Sequence, residues 1–127
     1  MWADPQDQVK KQLLQSCRTI AVVGLNDDLS SPSNYVSRYL MQQGYKIVPV
    51  NPNLEEVLGE QAYPDLKSIP FKVDVVDVFR RSDAVFEIVK TAQEIGIPAV
   101  WVQLHIDCSE ETMQYAREHH LLLIKDA

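Results

Sequence analysis

The chain has 127 residues, of which 46% are hydrophobic and 24% charged, the composition of one ordinary globular domain. Twelve basic and eighteen acidic side chains give a formal charge of -6, and the basic residues do not cluster, so nucleic acid is disfavoured as a partner. No apolar run approaches the roughly 18 residues of a membrane-spanning helix. The first residues lack the features of a secretory signal, so we expect a cytoplasmic protein with no membrane contact.

The two cysteines are predicted to be free thiols. Cys17 and Cys108 belong to no CxxC or Cys/His ligand spacing, and a reducing cytoplasm disfavours a disulfide between them. We therefore predict neither a disulfide nor a metal site.

Residues 4–16 are predicted to form an N-terminal packing helix. Asp4 is a suitable N-cap, and Pro5 suits the first helical position, where a missing N–H costs no hydrogen bond. Apolar side chains then recur every four residues on one face, at Val9, Leu13 and Cys17. We expect this face to pack against the rest of the domain.

The following segment is predicted to form a strand, a loop and a second helix. "TIAVVGL" is an unbroken apolar run rich in β-branched residues, as a strand buried on both faces requires. Ser31 as N-cap and Pro32 at the first position begin the second helix, which we expect to end at Gly44. The side chains that we expect it to turn inward are Val36, Tyr39 and Leu40.

Two more strands and a helix are predicted in the middle of the chain. "YKIVPVNP" is the second strand, a loop with Gly59 and Pro64 follows, and "VDVVDVF" is the third strand. The segment "SDAVFEIVKTAQEIG" then forms a helix for which Ser82 is the expected cap. Its apolar stripe consists of Ala84, Val85, Ile88, Val89, Ala92 and Ile95.

The last predicted elements are a strand, a helix and a strand. "AVWVQL" is the fourth strand and "LLLIKD" the fifth. Between them Ser109 caps a helix with Glu110 and Glu111 in its first turn, where carboxylates favour the positive end of the helix dipole.

This alternation predicts the fold class. Strands alternating with helices through short connections imply α/β structure: a Rossmann-like doubly wound parallel sheet of about five strands in a three-layer α/β/α arrangement. We expect residues 1–127 to form a single domain. In such sheets ligands bind outside the carboxyl ends of the strands, where the strand order reverses, so the site residues are expected just after strands one to four.

The loop after the first strand lacks the common nucleotide-binding motifs. A dinucleotide loop has the pattern G-x-G-x-x-G and an acid after the second strand, whereas this chain has Gly24 alone and then Asn51-Pro52. The Walker pattern is absent as well. An anion site remains at the start of the Pro32 helix, where free backbone amides, the helix dipole and the hydroxyls of Ser30, Ser31 and Ser33 can receive a phosphate.

Several motifs together carry a family resemblance. "TIAVVGL", "SPSNYVSRYL", "GYKIVPVNP", "VLGEQAYPDL", "VDVVDVFRRSDAVFEIV" and "AVWVQL" follow one another in the order and spacing of a known family. From Arg18 to the C-terminus the chain resembles the YccU-type CoA-binding protein family, which is similar to the CoA-binding domain of the succinyl-CoA synthetase α subunit. The joint presence of "PVNP" and "DVFRR" is more specific than any glycine pattern.

The resemblance implies a single CoA-binding domain with coenzyme A or an acyl-CoA as its cofactor. The pyrophosphate would lie over the first loop and helix, and the adenosine toward the second strand. The residues that the resemblance assigns to this site are Gly24, Asn26, Ser33 and Tyr35 in the phosphate loop, Asn51 and Pro52 on the adenosine side, and Phe79, Arg80 and Arg81 after the third strand.

Each of these residues also has a purely structural interpretation. Gly24 could only turn the chain, Asn51-Pro52 could be a plain turn, and Arg80 and Arg81 could belong to a solvated face. The two arginines are nevertheless suited to phosphate contact by their position at a strand end. Asp27 and Asp28 would weaken phosphate binding unless they turn toward solvent.

No catalytic set can be assembled by spacing. His105 has no evident nucleophile beside it and is interpreted as a surface-loop residue. Three functions remain: a non-catalytic CoA-binding carrier, sensor or regulatory module; a CoA-presenting subunit of a separately encoded NDP-forming acyl-CoA synthetase; and an NAD-type nucleotide-binding redox sensor. The missing acid after the second strand counts against the third, and a partner enzyme and a homodimer both stay open.

Overall fold

The computed structural model describes the backbone of residues 5–103 and 106–125, with side chains from residue 8 onward. Two short 3₁₀ turns, at Leu66–Ser68 and Ser82–Ala84, accompany the helices and strands. In chain order the helices and strands are α1 (Pro5–Ser16), β1 (Thr19–Val23), α2 (Pro32–Gln42), β2 (Lys46–Val50), β3 (Glu56–Val57), β4 (Glu60–Gln61), β5 (Val75–Val78), α3 (Val85–Glu94), β6 (Ala99–Val102), α4 (Glu110–Glu118) and β7 (Leu122–Lys125).

The predicted α/β fold is confirmed. Five parallel strands form one sheet in the order β2-β1-β5-β6-β7. The chain runs outward from β1 to β2 and then crosses back to β5 on the other side of β1. The strand order therefore reverses between β1 and β5, so their carboxyl ends form the crevice where such sheets bind ligands.

The sheet is covered on both faces, which explains the unbroken apolar strands. In β1, Ala21 belongs to the core cluster that contains α3 and α4 side chains, whereas Ile20 and Val22 belong to the cluster that contains side chains of α1 and α2. Cys17 lies in the second cluster and Cys108 packs against the first, so the two free thiols lie on opposite faces of the sheet.

Two inward-facing residues were predicted wrongly. Tyr39 is 58% exposed and Ile95 is 40% exposed. The buried face of α2 is instead polar, with Ser33, Asn34 and Ser37 each at most 3% exposed, because it packs on a hydrogen-bonded loop. Ile95 follows the last residue of α3 and turns outward with the chain.

A short hairpin replaces part of the loop predicted after the second strand. Strands β3 and β4 pair antiparallel through Glu56 and Gln61, and the intervening Leu58 and Gly59 both have positive φ, at 55° and 79°. This is the geometry of a two-residue primed turn. The chain after the hairpin then covers the edge of β2, where Tyr63 N–H donates to the Pro49 carbonyl at 2.9 Å.

No helix in the described part of the chain is both long and apolar enough to cross a membrane.

Candidate functional site

The site is centred on the close approach of two strand ends. Gly24 follows β1 with φ of 95°, and Phe79 follows β5. A methyl group on Gly24 would place its carbon 2.8 Å from the Phe79 carbonyl oxygen, closer than real Cβ contacts allow. Both the backbone conformation and this contact therefore require glycine, which supports the structural interpretation of Gly24.

Two open clefts meet at Gly24. The α2 cleft, with a volume of about 690 Å³, lies between the loop after β1, the start of α2 and the ends of β5 and β6. The α3 cleft, of about 400 Å³, lies between the end of β2, the segment before the first 3₁₀ turn and α3. Gly24 lines both clefts, so a single extended ligand could lie across it.

The nine residues predicted from the sequence divide between these clefts. The α2 cleft contains Gly24, Asn26, Ser33, Tyr35 and Phe79. The α3 cleft contains Gly24 together with Pro52 and Arg80. Asn51 and Arg81 line neither cleft.

The loop after β1 is held by its own polar side chains. The Asn26 Oδ1 atom accepts from the Asp28 backbone N–H at 3.0 Å and from the Ser31 hydroxyl at 2.7 Å. The Asn26 N–H donates to the Ser33 hydroxyl oxygen at 3.3 Å. Asn26 thus shapes the loop, and its Oδ1 atom already accepts two hydrogen bonds from loop residues.

Most polar groups at the start of α2 are also engaged. The Ser31 hydroxyl accepts from the Asn34 N–H at 3.3 Å, as predicted for an N-cap, and Pro32 has no N–H to offer. The Ser30 hydroxyl donates to Asp28 at 2.7 Å. Ser33 also lines the α2 cleft, but it is 3% exposed and its hydroxyl oxygen accepts from the Asn26 N–H, so the serines of this segment mainly hold the loop.

The two aspartates of this loop point to solvent. Asp27 and Asp28 are both exposed. The hydroxyl of Ser30, followed by its backbone N–H, holds the pKa of Asp28 below its ordinary value by hydrogen bonding. Their charge is therefore screened by water, and they do not line either cleft.

Arg80 and Arg81 have different surroundings. Arg80 lines the α3 cleft, and its Cδ atom would lie 3.2 Å from a methyl group on Gly24. Arg81 forms an ion pair with Asp83 at 3.5 Å, and their side chains are 87% and 71% exposed. The structure thus brings Arg80 to the point where the clefts meet and places Arg81 on a solvated face.

Comparison with known proteins places this chain in a family. A family model described as a CoA binding domain matches residues 18–127, which is most of the chain. The chain belongs to this CoA-binding domain family. A Bacillus subtilis protein, the uncharacterized protein YneT, is 37% identical over 123 residues, covering 97% of this chain and 90% of that protein.

Two further relatives extend the comparison. A solved structure of a hypothetical protein from Pyrococcus horikoshii has 32% identity and a TM-score of 0.91, over 99% of this chain and 90% of that one. The ADP-forming acetate-CoA ligase II of Archaeoglobus fulgidus is 30% identical over 82 residues, which is 63% of this chain but only 12% of the ligase. The CoA-binding domain thus corresponds to one small part of that longer enzyme.

In this CoA-binding domain, Asn51 has a structural position. Its side-chain amide donates to the Leu25 carbonyl at 3.1 Å, and its Oδ1 atom accepts from the Asn53 N–H at 2.9 Å. These bonds tie the end of β2 to the loop after β1 and close a local turn. Of the predicted adenosine pair, only Pro52 faces a cleft.

The prediction that Ser82 caps α3 is wrong. No side chain caps the 3₁₀ turn or α3, and the Ser82 hydroxyl instead accepts from the Asp107 N–H at 2.8 Å. Ser82 therefore fixes the chain after β6 against the start of α3. His105 lies outside the described residues.

A buried network that was not predicted from the sequence supports the loop after β1. Asn34, only 1% exposed, donates from its side-chain amide to the Asn26 carbonyl at 2.8 Å. Arg38 donates to Asn34 Oδ1 at 2.9 Å and to the Leu29 carbonyl at 2.7 Å. The spacing of Asn34 and Arg38, four residues apart on one helix face, was the available signal.

A second missed pair lies beneath the α2 cleft. Asp77, in β5, is 5% exposed, and the Gln103 side-chain amide donates a hydrogen bond to it. Gln103 follows β6 and lines the α2 cleft. The signal was Asp77, the second of two aspartates in the valine-rich segment "VDVVDVF", since a buried carboxyl group needs a partner.

Proposed function

We propose that this domain binds coenzyme A or a short acyl-CoA at the carboxyl ends of its parallel strands, without catalysing a reaction, and acts as a carrier, sensor or regulatory module. The observation that carries the proposal is the position of Arg80 beside Gly24, where the two clefts meet. A pyrophosphate crossing Gly24 would be close to this guanidinium group, which is suited to phosphate contact.

The two clefts suit the two ends of such a ligand. The α3 cleft borders the end of β2 through Val50 and Pro52, and it is the better place for the adenosine part. The larger α2 cleft, with Tyr35, Phe79 and Ser33 in its wall, would receive the pantetheine part. CoA has a pyrophosphate between its adenosine and pantetheine parts, and the α3 and α2 clefts likewise meet at Gly24.

The absence of a reactive pair supports the non-catalytic part of the proposal. Among the described residues, no histidine or cysteine lines either cleft. Burial raises the pKa of the Cys17 thiol and of the Cys108 thiol, which disfavours the reactive thiolate. Ser31 and Ser33 line the α2 cleft, but no described histidine, aspartate or glutamate lines it with them to act as a general base.

A ligand screen tests the binding proposal. Thermal shift and calorimetry with CoA, acetyl-CoA, NAD, NADP and ATP should show CoA or acetyl-CoA bound most tightly, since a ligand that binds only the folded state raises its melting temperature. Tighter binding of NAD, or no CoA binding at millimolar concentration, would reject the proposal. The NAD alternative requires an acidic residue directly after β2, where this chain has Asn51 and Pro52. The carboxyl groups that line the α3 cleft belong instead to Asp65 and Glu87.

The non-catalytic proposal has its own test. Purified protein incubated with acetyl-CoA should release no free thiol above the rate without protein, as measured with a thiol reagent. Turnover that is lost on replacing Cys108 with Ala, or His105 with Ala, would show that the domain is an enzyme.

A second candidate function is favoured by the similarity to the acetate-CoA ligase of Archaeoglobus fulgidus. In this alternative the domain presents CoA to a separately encoded NDP-forming acyl-CoA synthetase. The test is reconstitution: mixing the chain with an ATP-grasp protein encoded beside its gene should produce acyl-CoA from an acid, CoA and a nucleoside triphosphate. Activity of the partner alone, unchanged by this chain, would contradict it.

A further inference from the structure

A partly open space adjoins the α2 cleft, between the sheet and the helices α1 and α2, and the exposed Tyr39 forms part of its wall. This inner cavity has a volume of about 220 Å³. Apolar side chains from both helices and the sheet form most of its wall, among them Leu13, Cys17, Ile20, Leu40, Val75 and Trp101. None of these six lines the α2 cleft or the α3 cleft.

The inner cavity adjoins the α2 cleft. Val36 and Gln103 line both spaces, so these two side chains form the boundary between them. A movement of either side chain would connect the two spaces. The inner cavity is therefore positioned to receive the end of a ligand that already occupies the α2 cleft.

The strand register shows how far the cavity extends. Ile20 pairs with Val75, and two residues further along the same face Asp77 pairs with Trp101. Phe79 and Gln103 are two residues further again, at the α2 cleft. With about 3.3 Å per residue, the wall from Val75 to Phe79 spans about 13 Å, enough for an extended short chain.

Two of the polar side chains that line the inner cavity lie next to the α2 cleft, and a third, Tyr39, is 58% exposed. Asp77 and Gln103, which are hydrogen-bonded to each other, are next to the α2 cleft, whereas Ile20 and Val75, each 3% exposed, lie at the far end. A ligand that fits this wall is polar where it enters and apolar where it ends. Since a cavity of about 150 Å³ can hold benzene, this one should accommodate about six to eight carbon atoms.

We propose that the inner cavity binds the apolar chain of a short acyl thioester whose pantetheine part occupies the α2 cleft. The proposal rests on the proposed CoA-binding function and adds the class of acyl group. A neutral thioester suits the entrance better than a free fatty acid, because the acid would bring a second carboxyl group beside that of Asp77. The cavity thus distinguishes acyl-CoA from CoA by the burial of the chain.

Calorimetry with a series of thioesters tests this proposal. Affinity should rise about fourfold for each methylene from acetyl-CoA through butyryl-CoA to hexanoyl-CoA, and stop rising at about eight carbons, when the cavity is full. Hexanoate alone should not bind at the same concentrations. If CoA and all the thioesters bind equally, the acyl site is wrong although the CoA site stands. If neither CoA nor any thioester binds, both proposals fail.

Matched cysteine variants locate the effect. Cys17→Leu fills part of the inner cavity and should lower the ratio of hexanoyl-CoA affinity to CoA affinity by about fifteenfold, the equivalent of roughly two displaced methylenes. Cys108→Leu makes the same change on the opposite face of the sheet and should leave this ratio unaltered. Equal ratios in the two variants would contradict the proposal.

A variant that enlarges the cavity gives an independent result. Leu13→Ala removes side-chain volume from the α1 wall and should move the preferred chain length upward by about two carbons. Melting temperatures establish that each variant is folded. If Cys17→Leu does not fold, the chain-length preference of Leu13→Ala decides: an unchanged preference would overturn the proposal.

Discussion

The side-chain amide of Asn34 lies 2.8 Å from the backbone carbonyl oxygen of Asn26, so a buried residue of α2 holds the loop that forms one wall of the α2 cleft. Arg38 completes the arrangement by donating to the other end of the same amide. The shape of the predicted phosphate loop therefore depends on side chains that do not themselves face the ligand.

Replacing Asn34 with Ala should destabilise the domain by about 1–3 kcal/mol, because the part-buried hydrogen bond from this buried residue to the Asn26 carbonyl is lost. Chemical denaturation measures the loss, and hydrogen exchange should increase in residues 26–31. Asn53→Ala is the matched control, since Asn53 is exposed. Equal stability of the two variants would show that the network is unimportant.

The contact between Gly24 and Phe79 predicts an unusually damaging glycine replacement. Gly24→Ala introduces both a positive-φ alanine and a clash with the Phe79 carbonyl, whereas Gly59→Ala introduces only the first, since nothing lies within 4 Å of a methyl group there. The φ strain costs about 1–2 kcal/mol in each, and the clash should add roughly 1–3 kcal/mol at Gly24. Equal losses in thermal unfolding would mean that the strand ends separate easily.

The two neighbouring arginines should differ in their effect on CoA binding. Arg80→Ala should weaken it by about 1–3 kcal/mol, the range of a charge-assisted hydrogen bond, whereas Arg81→Ala should have little effect because that side chain pairs with Asp83. Calorimetry at low and high salt should show the Arg80 contribution shrinking with ionic strength. A folded double variant with wild-type affinity would place both arginines outside the phosphate site.

Asp74 should make the domain less stable in acid. Its Oδ2 atom accepts from the backbone N–H groups of Arg18 at 2.9 Å and Thr19 at 3.1 Å, and the bond from Arg18 is the main reason that its pKa is lowered. A lowered folded-state pKa stabilises the fold above the unfolded value of about 3.9, and this contribution disappears as pH falls through the folded value.

The corresponding variant is Asp74→Asn, which keeps an acceptor oxygen but removes the charge. It should cost about 1 kcal/mol at pH 7, after allowance for solvent screening, and the difference from wild type should vanish once the pH falls below the folded-state pKa of Asp74. Urea denaturation at several pH values measures it. A difference that is constant with pH would mean that the effect is one of packing.

Some of the site followed from the sequence and some did not. Ser31 and Pro32 begin α2 as predicted because N-caps act within one turn of chain. Arg80 and Arg81 were indistinguishable as a dipeptide, and only the fold separates one that lines a cleft from one that pairs with Asp83. Asn51 was assigned to a ligand, but its side chain is engaged with Leu25, a partner distant in sequence.

The sequence by itself determined the five strands of the parallel sheet, the helices and their alternation, because apolar periodicity and capping residues act over a few neighbours. It also determined the family, through motifs spread along the chain. Only the tertiary structure decided that α2 buries Ser33 and Asn34 rather than Tyr39, and that two clefts meet at Gly24 above an inner cavity. These features arise from contacts between residues far apart in the chain, whose geometry depends on how the sheet and helices pack together.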